Sequence, residues 1–227
     1  DAGNSGGGVV YLSAGFYRLD NPIVVPSNVQ LKGASSVANR DQPDFSLGTL
    51  ILSYYGDNIS NPNDATALIT LYGKNSGVVG LRIINPLNNP STPGNEGKVK
   101  PYPFAIRGNG DGVYVMNVGL AGAYNGVDFR NCNNHIIKGL VGGFFNIGII
   151  IANSSGGHIE GILHNTTNTI RHNLRFRFPE FRDWTTEEQA FTHIIDPITR
   201  PNLNYIISDN VQNQIILNAF AYGPRNF

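Results

Sequence analysis

Cysteine, charge and long apolar runs are all scarce in this chain of 227 residues. A single cysteine, Cys132, excludes an internal disulfide framework and a zinc site built from several thiolates. Charged residues make up 14% of the chain, roughly half the usual share, and 16 basic side chains balance 16 acidic ones. This neutral charge argues against nucleic acid or a membrane surface as a partner. No apolar run approaches the roughly 20 residues that cross a bilayer, so we expect no membrane span.

Glycine and asparagine are abundant instead, with 27 Gly and 29 Asn. Apolar residues form 41% of the chain, which is enough to build a core at this length. Lysine is rare, at five residues against eleven arginines, whereas Asn, Gly, Thr and Tyr are common. This composition is typical of exported proteins, and we expect a secreted or cell-surface location.

A repeat of 22 residues runs through the middle of the chain. A small residue follows a short apolar segment at Asn117, Gly139 and Gly161, each 22 positions after the one before. Upstream, Gly80 ends a similar segment and precedes Asn117 by 37 positions. We assign the excess over one repeat to an inserted loop in the Pro- and Asn-rich stretch 86–103.

Short strands with this period are typical of the stacked coils of a solenoid. A repeat of about 22 residues with two or three strands predicts an all-β right-handed parallel β-helix, with neighbouring coils about 4.8 Å apart. Met116, Lys138 and Glu160 would then form an outward ladder on successive coils, whereas Ile137 and Val141 would point inward. Repeated Asn residues, such as Asn131 and Asn153, would stack their amides at a shared turn.

Both ends and one long segment depart from the repeat. The segment 165–204 interrupts it as an excursion, and Thr185 followed by an acidic turn predicts a short helix there. Neither end carries the polar cap that a solenoid needs. The sequence therefore predicts a single β-helix domain over 1–227, truncated at both ends, whose remaining coils are its expected partner.

Two blocks of sequence resemble a known superfamily. The stretches 6–18 and 25–33 resemble the opening coils of the pectate-lyase-like β-helix superfamily of carbohydrate-active enzymes. The stretches 101–108 and 123–128 are similar to the β-helix lacto-N-biosidases. The resemblance implies a right-handed β-helix that acts on an oligosaccharide or polysaccharide outside the cell.

The catalytic motifs of the best-known members are missing. The Asn-Thr-Asp, Asp-Asp and Gly-His-Gly set of the polygalacturonases does not occur, and the segment 156–158 matches it only in part. The Trp-Ile-Asp-His and Arg-x-Pro-x-x-Arg motifs of pectate lyases are also missing. No catalytic residue therefore carries over from the family to this chain.

Candidate catalytic carboxylates are few. Glycoside hydrolysis uses two carboxyl groups, about 5–5.5 Å apart for retention and about 6.5–9.5 Å apart for inversion. Within the repeats the candidates are Glu160 and Asp128. Glu160 would lie one coil from Lys138, which equally fits a solvated ion pair. Asp128 would face outward beside Arg130, which equally fits a structural turn.

Candidate sugar contacts lie in and near the excursion. It carries the only tryptophan, Trp184, and begins beside His164. Because sugars stack on aromatic rings and bind fixed polar groups, we predict that Trp184, His164, Tyr102 and Arg130 contact a substrate. The alternative is that the aromatic residues only pin the excursion to the solenoid.

The histidines show no compact spacing for metal ligands, so we predict no metal site and no cofactor. Aspartates in the stretch 41–64 offer oxygen ligands for a structural calcium ion, or belong to a plain surface loop. The leading prediction is a glycoside hydrolase of the lacto-N-biosidase type, acting on a complex oligosaccharide by the two-carboxylate mechanism. The alternatives are a polysaccharide lyase acting on a uronic-acid polymer and a non-catalytic β-helix that binds glycan as an adhesin.

Overall fold

Short strands and tight turns make up most of the chain. A computed structural model describes residues 2–35, 47–88, 90, 97–165 and 191–227. These residues hold sixteen strands, a π-helical turn at Phe191–Ile195 and one helix, α1, at Asp196–Asn202. The strands are β1 Gly8–Tyr11, β2 Gly15–Leu19, β3 Ile23–Val25, β4 Val29–Lys32, β5 Thr49–Ser53, β6 Ile69–Tyr72, β7 Gly77–Val79, β8 Arg82–Ile84, β9 Phe104–Asn109, β10 Tyr114–Asp128, β11 Ile136–Ser155, β12 His158–Glu160, β13 Leu163–Asn165, β14 Asn204–Gln212, β15 Ile215–Leu217 and β16 Phe220–Tyr222. The predicted mostly β chain is confirmed.

All strand pairs between the described residues are parallel, and they form three faces. Face A joins β1, β4, β7, the first parts of β10 and β11, β12 and β15. Face B joins β2, β5, β8, the middle of β10 and β11, β13 and β16. Face C joins β3, β6, β9, the last parts of β10 and β11, and β14.

We call one passage of the chain through faces A, B and C a circuit. The strands named above make up seven circuits, which begin at β1, β4, β7, β10, β11, β12 and β15. Tyr114 pairs with Ile136, and Ile136 pairs with His158, so the circuits in the middle repeat every 22 residues as predicted. The 37-residue step is also present, because Val79 pairs with Met116.

A residue in the left-handed region ends face A in five circuits. Its φ angle lies between 52° and 66° at Gly80, Asn117, Gly139, Gly161 and Asn218. Glycine and asparagine adopt this conformation at lower cost than other residues. The 22-residue spacing of small residues in the sequence therefore marks a repeated corner of the backbone.

This corner shifts the inward and outward alternation that the sequence predicts. The structure confirms that Ile137 points inward, whereas Leu140 takes the next place in the main core. Val141, which we expected to point inward, packs with Leu163 in a separate small cluster. The reason is that the left-handed residue Gly139 interrupts the alternation between faces A and B.

The amide stacking predicted from the repeated Asn residues is present with different partners. The Nδ2 of Asn210 donates to Oδ1 of Asn153 at 2.8 Å, and that of Asn75 donates to Oδ1 of Asn28 at 3.3 Å. The bond to Asn153 thus comes from the following circuit rather than from Asn131.

The longest break between strands lies between faces B and C of the sixth circuit. Strand β13 ends at Asn165 and β14 begins at Asn204, and α1 lies between them. The predicted helix start at Thr185 and the side chain of Trp184 lie outside the described residues. In the part of the chain that the structure describes, no helix has the length and apolar character needed to cross a bilayer.

Candidate functional site

The outward side of face A carries two rows of side chains. Alternate residues of its strands point away from the core, and neighbours within a row are about 4.8 Å apart. The first row includes Gln30, Gly77, Tyr114, Ile136 and His158. The second row includes Lys32, Val79, Met116, Lys138 and Glu160, and its last three members are the predicted outward ladder.

The ring of Tyr114 lies along the first row instead of standing upright. A Cβ atom on Gly77 would lie only 2.2 Å from Cε2 of Tyr114, so the ring occupies the space above that glycine. The Tyr114 hydroxyl reaches one circuit further and accepts a hydrogen bond of 3.1 Å from Nε2 of Gln30. A half-buried aromatic ring held in this way can stack on the C–H face of a sugar.

A charged cluster lies further along the same surface. Nζ of Lys138 is 3.1 Å from Oε2 of Glu160, so the ion pair expected between these residues is present. Nε2 of His158 lies 3.4 Å from the same oxygen. Lys138 and, to a smaller degree, His158 lower the pKa of Glu160. The carboxylate is therefore ionised at neutral pH and suits a nucleophile or a general base rather than a proton donor.

Asp128, the other predicted catalytic carboxylate, is 2% exposed. Its Oδ2 accepts bonds from Nε of Arg107 and Nη2 of Arg130, both at 2.7 Å. Its Oδ1 accepts from Nε and the backbone N–H of Arg130 at 3.0 and 3.1 Å. Four donors leave neither oxygen free to accept a substrate proton. Asp128, expected to face outward, is instead buried, because Arg107 and Arg130 surround its carboxylate and also bind the loop at 61–65.

The two arginines hold that loop against face C. Arg107 donates to the carbonyl oxygens of Ala65 and Asn63 at 2.8 and 2.7 Å, and Arg130 donates to that of Asn63 at 3.1 Å. Arg130, a predicted substrate-binding residue, is thus occupied by Asp128 and the loop. A cavity of about 290 Å³ beside the cluster is lined by both arginines, Asp128 and Asp64. The best account of Asp128 and Arg130 is structural.

Two further residues predicted to bind substrate lie inside the protein. His164 is 0% exposed and Tyr102 is 1% exposed, so neither side chain reaches a sugar bound at the surface. The ring of His164 packs against those of both Phe144 and Tyr205, with centroids 5.6 and 5.5 Å away. Burial lowers the pKa of His164 to about 3 and raises that of Tyr102. Both were expected at the surface because their side chains carry polar groups, but both fill buried positions.

No protein-family model matches the chain, and no curated protein matches it. Among solved structures, a "putative glycosyl hydrolase" from Parabacteroides merdae matches 97% of this chain and 83% of its own, with a TM-score of 0.56 at 16% identity. The two proteins share a fold. A pectin methylesterase in complex with a hexasaccharide matches 71% of this chain and 59% of its own at 16% identity, but its TM-score of 0.37 is too low to define a fold.

Tyr114 and Gln30 are not among the site residues predicted from the sequence. The sequence feature that could have identified them is a glycine paired with a tyrosine on the next strand, because Gly77 leaves room for the ring of Tyr114. That register depends on a 37-residue step, which hides the pairing in the linear sequence.

Within the described residues, no three His, Cys, Asp or Glu side chains gather in a way that suits a metal ion. Of the aspartates considered for calcium, Asp57 pairs with Lys100 at 3.0 Å, and Asp64 lies 4.0 Å from Arg130. The other two, Asp41 and Asp44, lie outside the described residues. The calcium prediction stays untested.

Proposed function

We propose that this chain is a right-handed parallel β-helix of a carbohydrate-processing enzyme, and that a glycan binds along the outward side of face A. The observation that carries the proposal is the Tyr114 ring, held flat over Gly77 on the same surface as Glu160. Aromatic stacking would position a sugar ring, and the charged cluster two circuits away would act on a neighbouring unit. The fold shared with a "putative glycosyl hydrolase" supports a sugar substrate.

The reaction that we propose first is glycoside hydrolysis with Glu160 as the ionised carboxylate. Lys138 and His158 keep Glu160 negative, as required of a nucleophile or of a base that activates water. His158 is a positioning residue, because its buried Nε2 faces Glu160. No second carboxylate lies on face A among the residues that the structure describes, so the proton donor of the two-carboxylate mechanism is to be sought outside them.

Substitution of Glu160 tests this role. Loss of the nucleophile or base in Glu160→Gln should lower kcat by about a hundredfold or more, with the fold unchanged. A matched control is Asp209→Asn, which removes an exposed carboxylate from face C and should leave kcat unchanged. If both variants keep full activity on the same substrate, Glu160 is not catalytic.

Substitution of Tyr114 tests the binding surface. Tyr114→Leu should raise KM for an oligosaccharide much more than it lowers kcat, because stacking is lost while the charged cluster remains. Tyr114→Phe removes only the bond to Gln30 and should have a smaller effect. An equal effect of both variants on kcat alone would contradict a binding role.

A second reaction, lyase cleavage of a uronic-acid polymer, is favoured by one observation. Lys138 and His158 place two basic groups around a single carboxylate, and Lys138 is exposed enough to pair with a uronate. Assays on aryl glycosides and on uronic-acid polymers separate the two reactions, because a lyase forms unsaturated products that absorb in the ultraviolet. Tight glycan binding without turnover would contradict both reactions and leave a binding β-helix.

A further inference from the structure

A second cavity lies between α1 and the corner where faces B and C meet. Its volume is about 520 Å³, which is within the range of small-molecule sites. It shares no residue with the face A surface described above. Its lining includes Tyr124 and Phe145 from the corner, Asn202 from α1, and Arg225 from the last circuit.

One wall of this cavity is aromatic. Tyr124 and Phe145 belong to one apolar cluster with Ile195, which anchors α1 at the corner. Phe145 is buried, whereas Tyr124 is half-buried, and both line the cavity. Burial raises the pKa of the Tyr124 hydroxyl, so it keeps its proton and can donate a hydrogen bond.

Two amides contribute acceptors. Nδ2 of Asn146 donates to Oδ1 of Asn125 at 2.9 Å, which directs the donor group of Asn146 along the stack of circuits. Nδ2 of Asn202 donates to the carbonyl oxygen of Ile198 at 2.8 Å. Each of these amides donates to the protein through Nδ2, and no hydrogen bond among the described residues ends on its Oδ1, so the Oδ1 atoms can accept from a ligand.

Two other lining residues, Asn204 and Arg225, contribute donors and a positive charge. Oδ1 of Asn204 accepts a bond of 2.6 Å from Nδ2 of Asn226, which leaves the NH₂ group of Asn204 for a ligand. Arg225 donates from Nη1 to the carbonyl oxygen of Pro201 at 3.5 Å, a long bond that commits little of its guanidinium. No carboxylate is found among the described residues that line the cavity, and no ion pair joins Arg225 to another of them.

We propose that this cavity binds a pyranose unit that carries a carboxylate, such as a uronic acid residue. Tyr124 stacks on the ring, the amides bond to hydroxyl groups as donors and acceptors, and Arg225 pairs with the carboxylate. A neutral sugar would leave the guanidinium without a charged partner, and a simple anion would not use the aromatic wall. This site does not depend on the reaction at face A.

The test measures binding of three probes to the whole chain by calorimetry or NMR titration. Galacturonate carries ring and charge, galactose carries the ring alone, and acetate carries the charge alone. We expect galacturonate to bind about tenfold more tightly than either of the others, because a charge-assisted bond adds to the stacking. Equal binding of galactose and galacturonate, or no binding of galacturonate, would overturn the proposal.

Variants locate the site. Arg225→Gln should remove the preference for galacturonate over galactose, and Tyr124→Leu should weaken both sugars. Lys74→Gln, which removes an exposed cation elsewhere, should leave galacturonate binding unchanged. Loss of binding in Glu160→Gln but not in Arg225→Gln would place the sugar on face A and refute the second site.

Discussion

The inner circuits and the two end circuits of this protein bury the same core row to very different degrees. One row of inward residues runs through face A in all seven circuits. From the first circuit to the last, its exposed fractions are 43% for Val10, 6% for Leu31, 0% for Val78, Val115, Ile137 and Ile159, and 40% for Ile216. An apolar residue of similar size is thus fully buried only when a circuit lies on each side of it.

The difference shows that the neighbouring circuits, rather than the residue itself, provide the burial. If the circuits stack as in repeat proteins, stability is close to a sum over circuits and the interfaces between them. Every residue of β1 and β15 is exposed, which is the pattern of segments that open first. Stability should therefore be concentrated in the middle circuits.

The largest difference in stability is expected when an isoleucine of the core row is shortened to alanine in an inner circuit and in an end circuit. Ile137→Ala should lower the free energy of unfolding by about 2–5 kcal/mol, because it leaves a cavity in a fully buried row. Ile216→Ala should cost about 1 kcal/mol or less, since water already reaches that side chain. Denaturant unfolding of the two variants measures both values. Equal costs would show that the end circuit is covered in solution.

The next test uses the buried imidazole of the sixth circuit. Burial lowers the pKa of His164 to about 3, whereas an unfolded chain would have a histidine pKa of about 6.5. The unfolded state therefore binds the proton first, and stability falls as the pH drops from about 6.5 towards 3. We expect His164 to cost about 2 kcal/mol between pH 7 and pH 5.

His164→Leu should remove that loss. Leucine is a suitable replacement because Leu120 occupies the same row two circuits earlier. The row is defined by Gly142, which pairs with Leu120 on one side and with His164 on the other. The control His158→Gln removes an outward imidazole of the same circuit and should keep the steep dependence. Denaturation midpoints between pH 5 and pH 8 provide the measurement. An unchanged slope in His164→Leu would show that His164 does not take up the proton.

A smaller difference is expected between two corner glycines with nearly equal backbone angles. Gly139 and Gly161 have φ angles of 64° and 63°, so alanine strains both by about 1–2 kcal/mol. At Gly139 the new Cβ would also lie 2.7 Å from Oδ1 of Asn117, whereas at Gly161 the nearest atom is 3.9 Å away. Gly139→Ala should therefore have the lower thermal midpoint. The reverse order would contradict a corner crowded by the preceding circuit.

Much of this architecture is readable from the sequence because each corner needs a special residue. The 22-residue spacing of Asn117, Gly139 and Gly161 is a local backbone requirement, and it predicts the register of β10, β11 and β12. The departure of Val141 from the predicted inward position could not be foreseen, since a left-handed residue interrupts alternation in a way that depends on the angle of the corner.

The candidate site was less accessible to prediction for a different reason. Lys138 and Glu160 lie one repeat apart, so their pairing follows from the period alone. Burial of Asp128, in contrast, depends on the loop at 61–65, which is remote in sequence and has no periodic signal. His164 and Tyr102 are polar by residue type, and only the three-dimensional packing shows that they belong to the interior.

The smallest effect on stability is expected from the ion pair between Lys138 and Glu160, which joins two circuits on the outward side of face A. Lys138→Met removes the main cause of the lowered pKa of Glu160, so that pKa should rise towards its ordinary value. Because the pair is solvated, the unfolding midpoint at neutral pH should hardly change, and the interaction should weaken with added salt. An NMR titration of the Glu160 carboxyl carbon follows the pKa directly. A large drop in stability with an unchanged Glu160 pKa would show that Lys138 acts through packing, and that circuits are held together at their surface as well as in their core.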